Sequence, residues 1–243
     1  MSQVLIISDV HLHPVIFDKA EKILESGQAD FAIQMGDLVD DWGEEFNFQL
    51  YTRTLGRAIM FHTKFPNTLW CLGNHDYGYF NPYMGVRESG HSRSAEGIVG
   101  KMLKDMEDDG ARQQVAHIVD NVIFTHAGLT ADWVNMRIKK LGYKTNKPTK
   151  EGVLFAINHA SPEELWQENS PIWARPQIDE YEMWQPTMLQ VVGHTPVRTI
   201  TEDNNILSTD THSTYSNGAP IGDQSFAIVD TEKGTWKYAK QED

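Results

Sequence analysis

Disulfides are the first thing this sequence rules out. Cys71 is its one cysteine in 243 residues, and a lone thiol closes no internal bridge. Long apolar runs are missing as well: no window approaches the ~18 consecutive apolar residues of a membrane span. Positive charge is scarce. Lysine and arginine total 21 against 34 acidic residues, for a formal net charge of −13. That balance speaks against a broad basic surface for nucleic acid. An anionic ligand would have to meet its positive charge locally, and metal ions are one local source. Hydrophobic residues at 40% and charged residues at 23% are ordinary for a globular protein, which sets aside disorder and fibres. The opening apolar run, Val4 to Ile7, is too short for a secretion signal and has no basic stretch before it. With the unpaired Cys71, this leads us to expect a cytoplasmic protein that does not enter membranes.

What is present points to an α/β chain. The length suits a single domain over residues 1–243. Apolar runs at 3–7, 31–35 and 68–72 read as buried strands, and amphipathic stretches at about 16–25 and 44–62 read as helices. Strand, helix, strand, helix, strand at these lengths is a βαβαβ pattern with parallel strands. Residues 77–94 show no period and read as a long loop. A helix is expected at about 95–108, then strands at 114–119 and 122–125 joined by a turn at Asp120-Asn121. Residues 131–185 carry four tryptophans and several prolines and read as a mostly helical insert or cap. Strands follow at 188–192, 206–208, 225–229 and 235–238. A parallel start and a mostly antiparallel end suggest two stacked sheets flanked by helices, a four-layer αββα sandwich.

The chemistry sits where strands end. The first ends at Asp9-Val10-His11, the second at Gly36-Asp37-Leu38-Val39-Asp40, the third at Gly73-Asn74-His75-Asp76. His126 closes the strand at 122–125, and Gly193-His194 closes the one at 188–192. In open α/β sheets ligands bind beyond the carboxyl ends of the strands, so these motifs should converge. Asp9 and His11, two apart on an extended chain, would point to one side. Each residue alone has an ordinary structural reading, Asp37 as a turn aspartate and His126 as a buried structural histidine. Five strand ends that each deliver a metal-competent residue are hard to credit to chance. Carboxylate, amide and imidazole donors together suit Zn, Fe or Mn better than Ca. His75 is then a candidate acid rather than a ligand. Trp42 should lie at the mouth of the site.

These motifs resemble the five ordered motifs of the calcineurin-like metallophosphoesterases. Thr125-His126-Ala127-Gly128-Leu129, Gly193-His194-Thr195-Pro196 and Trp173-Ala174-Arg175 further resemble the bacterial and phage branch of the serine/threonine phosphoprotein phosphatases. The phage lambda phosphatase and the symmetrical diadenosine tetraphosphate hydrolases belong to that branch. Asp210-Thr211 resembles its late Asp-Thr-Gly strand end, with His212 in place of the glycine. The resemblance implies two divalent ions, with Mn first and Fe, Zn, Co or Ni as alternatives. Asp9, His11 and Asp37 would hold one ion; Asp37, Asn74, His126 and His194 would hold the other, with Asp37 bridging. It also implies in-line attack on phosphorus by a hydroxide between ions about 3.5–4 Å apart. His75, oriented by Asp40, would protonate the leaving oxygen, and Arg175 would grip phosphate oxygens. One departure stands out. The branch carries a phosphate-binding arginine after the second motif, where this chain has Asp41-Trp42-Gly43; Arg53, Arg87 and Arg93 are the candidate replacements. The resulting expectation is hydrolysis of a phosphomonoester, on a phosphoprotein or a small molecule. The alternatives are a phosphodiesterase or nucleotide polyphosphate hydrolase, and a metal-binding interaction module without turnover.

Overall fold

Alternation along the first strand divides the core. In β1 (Gln3–Ile7), Leu5 and Ile7 enter one hydrophobic cluster while Val4 and Ile6 enter another, as a period of two requires. The structure, a computed structural model, describes residues 2–85, 87–142 and 149–241. From β1 the chain runs through α1 (Val15–Glu25), β2 (Phe31–Gln34), α2 (Phe48–Lys64) and β3 (Leu69–Cys71), with the three strands parallel. Helix α1 buries Ile16, Phe17, Ala20, Ile23 and Leu24, the one-sided stripe of a surface helix.

The next segment departs from the expected loop. Residues Asn74–Phe80 form helix α3, followed by a 3-10 turn at Pro82–Met84. Asp76, three residues into the helix, accepts the Gly73 N–H at 3.4 Å, and Tyr77 and Tyr79 are buried. Glycine and aromatic residues hid this short helix from a reading by periodicity. Helix α4 (Glu96–Asp108) follows as expected. The single strand expected at 114–119 is two strands. β4 (Gln113–Gln114) pairs with β3, and β5 (Ala116–Val119) pairs with β6 (Val122–Thr125). The chain therefore crosses from one sheet to the other at Val115.

The stretch from 131 to 185 is less helical than expected. It holds α5 (Ala131–Lys140), α6 (Lys150–Asn158) and α7 (Pro162–Leu165), and residues 143–148 of it lie outside the described residues. Beyond Leu165, Pro171, Pro176 and Pro186 break the chain into turns up to β7 (Leu189–Val192). The last strands are β8 (Thr201–Asp203), β9 (Ile206–Ser208), β10 (Ala227–Asp230) and β11 (Thr235–Tyr238). β8 was not foreseen, because all three of its residues are exposed and carry no apolar alternation. Asn204 and Asn205, both at positive φ, turn it into β9.

One sheet has the order β11-β10-β1-β2-β3-β4 and the other β5-β6-β7-β9-β8, and both are mixed. One cluster joins the first sheet to α1, α2 and α4, a second lies between the sheets, and a third joins the second sheet to α5 and α6. That is the four-layer αββα arrangement. Among the described residues no helix is long and apolar enough to cross a membrane.

Candidate metal centre

The ends of β1, β2, β3, β6 and β7 meet, so strands of both sheets contribute to one site. The backbone there is unusual. His11, Asp37, Asp40 and His194 all have positive φ, at 41°, 55°, 65° and 61°. Left-handed conformations of non-glycine residues are uncommon and tend to cluster at functional sites. Two glycines make the approach possible. A Cβ on Gly73 would stand 2.1 Å from Asp37 Oδ1, and one on Gly193 would stand 2.2 Å from Asp9 Oδ2.

His126 is the centre of one group. Its Nδ1 lies 2.9 Å from the Met35 carbonyl oxygen. Giving that proton to Met35 leaves Nε2 with its lone pair when the ring is neutral. Nε2 stands 2.9 Å from Asn74 Oδ1, 3.1 Å from His194 Nδ1 and 3.3 Å from Asp37 Oδ2. Four atoms that are ordinarily acceptors thus face one another in a buried space. A proton on Nε2 satisfies one of the three contacts, whereas a cation satisfies all four atoms. The donor set of oxygen and imidazole nitrogen fits a divalent transition metal. Asp37, His126 and His194 each offer a ligand atom within 4.8 Å of the others.

The electrostatics show how the metal-free site balances its charges, with a proton on His126 standing where a cation would. Burial would raise the Asp37 carboxyl, but His126, His75 and His11 hold it well below the usual carboxylate range. Burial would lower His126, but Asp37 outweighs it and lifts the ring to about 9. Burial, then His126 and Arg175, push His194 well down, so this imidazole is neutral.

A second group is His11, Asp37 and His75, again with ligand atoms within 4.8 Å. His11 Nε2 is 3.7 Å from Asp37 Oδ2, and His11 Nδ1 is 2.9 Å from the Asp40 carbonyl oxygen. The sequence reading kept His75 apart from the ligands, yet the structure brings it into this group. Asp9 lies in the same buried layer, and each of its oxygens accepts one hydrogen bond, which leaves each a lone pair for a cation. Oδ1 accepts the His194 N–H at 2.9 Å and Oδ2 accepts the Ser8 hydroxyl at 2.7 Å. Asp9 and His11 are not two positions on an extended strand: the chain turns, and both Val10 and His11 donate backbone N–H groups to Asp37 O at 2.9 Å.

His75 has a defined partner. Its Nδ1 is 3.2 Å from Asp40 Oδ2, and its backbone N–H donates to Asp37 Oδ1 at 3.0 Å. Burial lowers the His75 ring, but Asp37 and then Asp40 raise it to about 9 in the metal-free protein. Asp40 is fully buried. Its Oδ1 accepts the Tyr51 hydroxyl at 2.9 Å and the Tyr79 hydroxyl at 2.5 Å. Sequence reasoning did not find these tyrosines.

A cavity of about 250 Å³ opens over the site, lined in part by His11, Asn74, His75, Trp42, Trp173 and Arg175. Trp42 is half exposed at its rim. Arg175 Nη1 donates to Thr195 Oγ1 at 3.2 Å and to His194 O at 3.4 Å. Arg175 is the one arginine among the described lining residues, so Arg53, Arg87 and Arg93 do not reach the cavity wall. Asp41 and Glu88 add two carboxyl groups to that wall, and Glu88 was not singled out in the sequence. His13 Nε2 is 3.6 Å from Asp41 Oδ2. His212 is not among the residues lining the cavity: its ring packs on Phe226 at 4.7 Å, and burial pushes it down to about 3. Asp210, raised to about 7 by burial and by Asp9, accepts the Ser213 hydroxyl at 2.7 Å.

The family model described as calcineurin-like phosphoesterase matches residues 2–216. Among solved structures, the chain is similar to a metallophosphoesterase from Sphaerobacter thermophilus, at 17% identity and a TM-score of 0.44, over 99% of this chain and 89% of that one. It is similar to an archaeal phosphodiesterase at 16% identity and a TM-score of 0.42, over 97% and 98% of the two chains. A protein of Thermus thermophilus aligns at 9% identity and a TM-score of 0.46, over 98% and 97%. None of the curated proteins matches the chain.

Proposed function

On the premise that this chain belongs to the calcineurin-like phosphoesterase family, we propose that it is a dinuclear-metal-dependent hydrolase of phosphoric monoesters. The observation that carries the proposal is the meeting of Asp37 Oδ2, Asn74 Oδ1 and His194 Nδ1 around His126 Nε2, beside the His75–Asp40 pair. Asp37, Asn74, His126 and His194 would hold one ion, and Asp9, His11 and Asp37 the other, with Mn as first choice and Fe, Zn, Co or Ni compatible with the same donors. What two divalent ions supply in such a site is neutralisation of phosphoryl charge and an activated water.

The rest falls to the chain's own residues. Asp40 engages His75 Nδ1, so Nε2 is the atom that gives a proton to the leaving oxygen. Asp40, beside Nδ1, favours the protonated ring. Arg175, beside Thr195 and His194, presents its planar fork to phosphoryl oxygens. Trp42 and Trp173 bound the cavity and contact the rest of the substrate.

A second reading has its own support. The Asp41 and Glu88 carboxyl groups line the cavity, and Asp41-Trp42 stands where the phosphoprotein phosphatase branch that the sequence resembles carries an arginine. Added negative charge disfavours a dianionic monoester and favours a singly charged diester, or a nucleotide polyphosphate bound away from that wall.

The test compares para-nitrophenyl phosphate with bis-para-nitrophenyl phosphate. Metal-stripped protein is reloaded with Mn, as wild type and as Asp37→Asn. Metal-dependent turnover of the monoester, lost in the variant, is the expected result. Preference for the bis-ester selects the second reading. Two bound ions with no turnover of either ester overturn a general phosphatase, in favour of a selective substrate or an interaction module.

A further inference from the structure

The Asp40 carboxylate is engaged from every side, and one of its neighbours has no part in the reading above. Tyr51 and Tyr79 hold Oδ1, and His75 Nδ1 lies 3.2 Å from Oδ2. On the other side of that oxygen stands His91, with Nδ1 at 3.8 Å. The His91 side chain is 2% exposed and packs on the Tyr79 ring, with centroids 4.3 Å apart. Its Nδ1 is buried with no hydrogen-bond partner among the described residues. Its Nε2 lies 3.1 Å from Glu96 Oε1, and Arg87 stands 3.5 Å from the same oxygen.

The segment that carries His91 is fastened to the same two tyrosines. Gly90 O accepts the Tyr51 hydroxyl at 3.1 Å, and the Ser92 N–H donates to the Tyr79 hydroxyl at 2.9 Å. A line of alternating groups therefore runs inward from the surface: Glu96, His91, Asp40, His75. An imidazole nitrogen without a partner is costly in a buried place. The ring is packed between Glu96 and the fully buried Asp40 carboxylate and stacked on a tyrosine that holds that same carboxylate, so it occupies space into which Asp40 would otherwise move.

We propose that His91, held by Glu96 and stacked on Tyr79, is a positioning residue for the His75–Asp40 pair. It fixes Asp40 so that Oδ2 stays on His75 Nδ1 and His75 Nε2 stays aimed into the cavity. The inference rests on the phosphoesterase reading of this site.

Proton donation matters more as the leaving oxygen becomes more basic. A positioning role therefore reads out in the ratio of two esters, which a purely structural role leaves unchanged. The experiment measures kcat/KM for the Mn-loaded protein on para-nitrophenyl and phenyl esters, of whichever class the wild type turns over. His91→Phe is expected to lower the phenyl ester about tenfold more than the para-nitrophenyl ester, within the ~10–100-fold range of outer-shell changes. His91→Gln, which keeps a donor, is expected to restore most of the ratio. Should His91→Phe fail to fold, Glu96→Gln carries the test, with the same direction at about threefold. Equal losses on both esters, or wild-type ratios in every folded variant, overturn the inference while leaving the phosphoesterase reading intact. A wild type that turns over no ester overturns that reading, and this inference with it.

Discussion

In the proposed monoesterase, Arg175 is the residue on which substrate binding would turn. Two of its contacts, to Thr195 Oγ1 and His194 O, fix the guanidinium within the cavity wall. Arg175→Ala is expected to lower kcat/KM for para-nitrophenyl phosphate by about 10–100-fold, the worth of a charge-assisted hydrogen bond at ~1.5–3 kcal/mol. Arg175→Lys should recover only part, because a point charge does not reproduce a planar fork. Steady-state kinetics checks both. Glu88 pulls the other way. Burial raises its carboxyl to about 7, against the pull of His75, so near neutral pH part of the population is charged. Glu88→Gln is expected to raise the monoester-to-diester kcat/KM ratio about fivefold, roughly 1 kcal/mol. An unchanged ratio would remove Glu88 as the discriminator. Asp37, Asn74, His126 and His194 were legible in the sequence because each follows a short apolar strand, and three of them follow a glycine. Tyr51, Tyr79, Glu88 and His91 were not. They come from helix faces and a turn, where no spacing marks them and only the tertiary fold brings them to Asp40 and the cavity. The turn at His11 was also hidden, since a two-residue spacing reads as extended strand.

At the scale of elements, the helices on the outer face of the second sheet hang on one carboxylate. Glu164, in the first turn of α7, accepts the Ser161 N–H at 2.7 Å and pairs with Arg137 of α5. The Trp133 indole donates to the Glu164 carbonyl oxygen at 2.9 Å, and Arg137 reaches Ala156 O and His159 O, both at 2.9 Å. One cluster of side chains therefore ties α5, α6 and α7 together. Removing one partner of a buried pair costs several kcal/mol. Arg137 keeps its carbonyl partners, so Glu164→Ala is expected to cost less, about 2 kcal/mol, as a lower urea midpoint. The pH dependence has a definite sign. Burial would raise the Glu164 carboxyl, but Lys140, the Ser161 N–H and Arg137 hold it at about 2. Its contribution is present above the ordinary glutamate value and is lost as pH falls through about 2. The variant should therefore lose less stability than wild type over that acid range. The alternation of strand and helix up to Cys71 was legible because burial writes a period into the residues. The outer helices were less so, since prolines interrupt them, and the crossing at Val115 was invisible because one residue carries it.

Across the whole molecule, the candidate metal centre is a joint between sheets. Asp37 and Asn74 follow β2 and β3 of the first sheet, while His126 and His194 follow β6 and β7 of the second. An ion held by all four binds only the assembled sandwich, so it stabilises the native state by mass action. At a thousandfold excess over Kd the gain is about 4 kcal/mol. For a chain of this size that raises Tm by roughly 8–16 °C. Asp37→Asn should lose most of this rise. Protons compete for the same place. His126 has a raised value of about 9 against an ordinary value near 6.5. In metal-free protein its proton therefore contributes stability that is full below about pH 6.5 and is lost as pH rises through about 9. Metal binding must expel that proton, so apparent affinity grows up to about tenfold per pH unit across the interval. Both effects widen the gap between loaded and stripped protein as pH rises. Thermal melts with and without Mn are expected to differ more at about pH 8.5 than at about pH 6.5. A gap that stays constant would mean that the ion does not displace the His126 proton and binds elsewhere on the molecule.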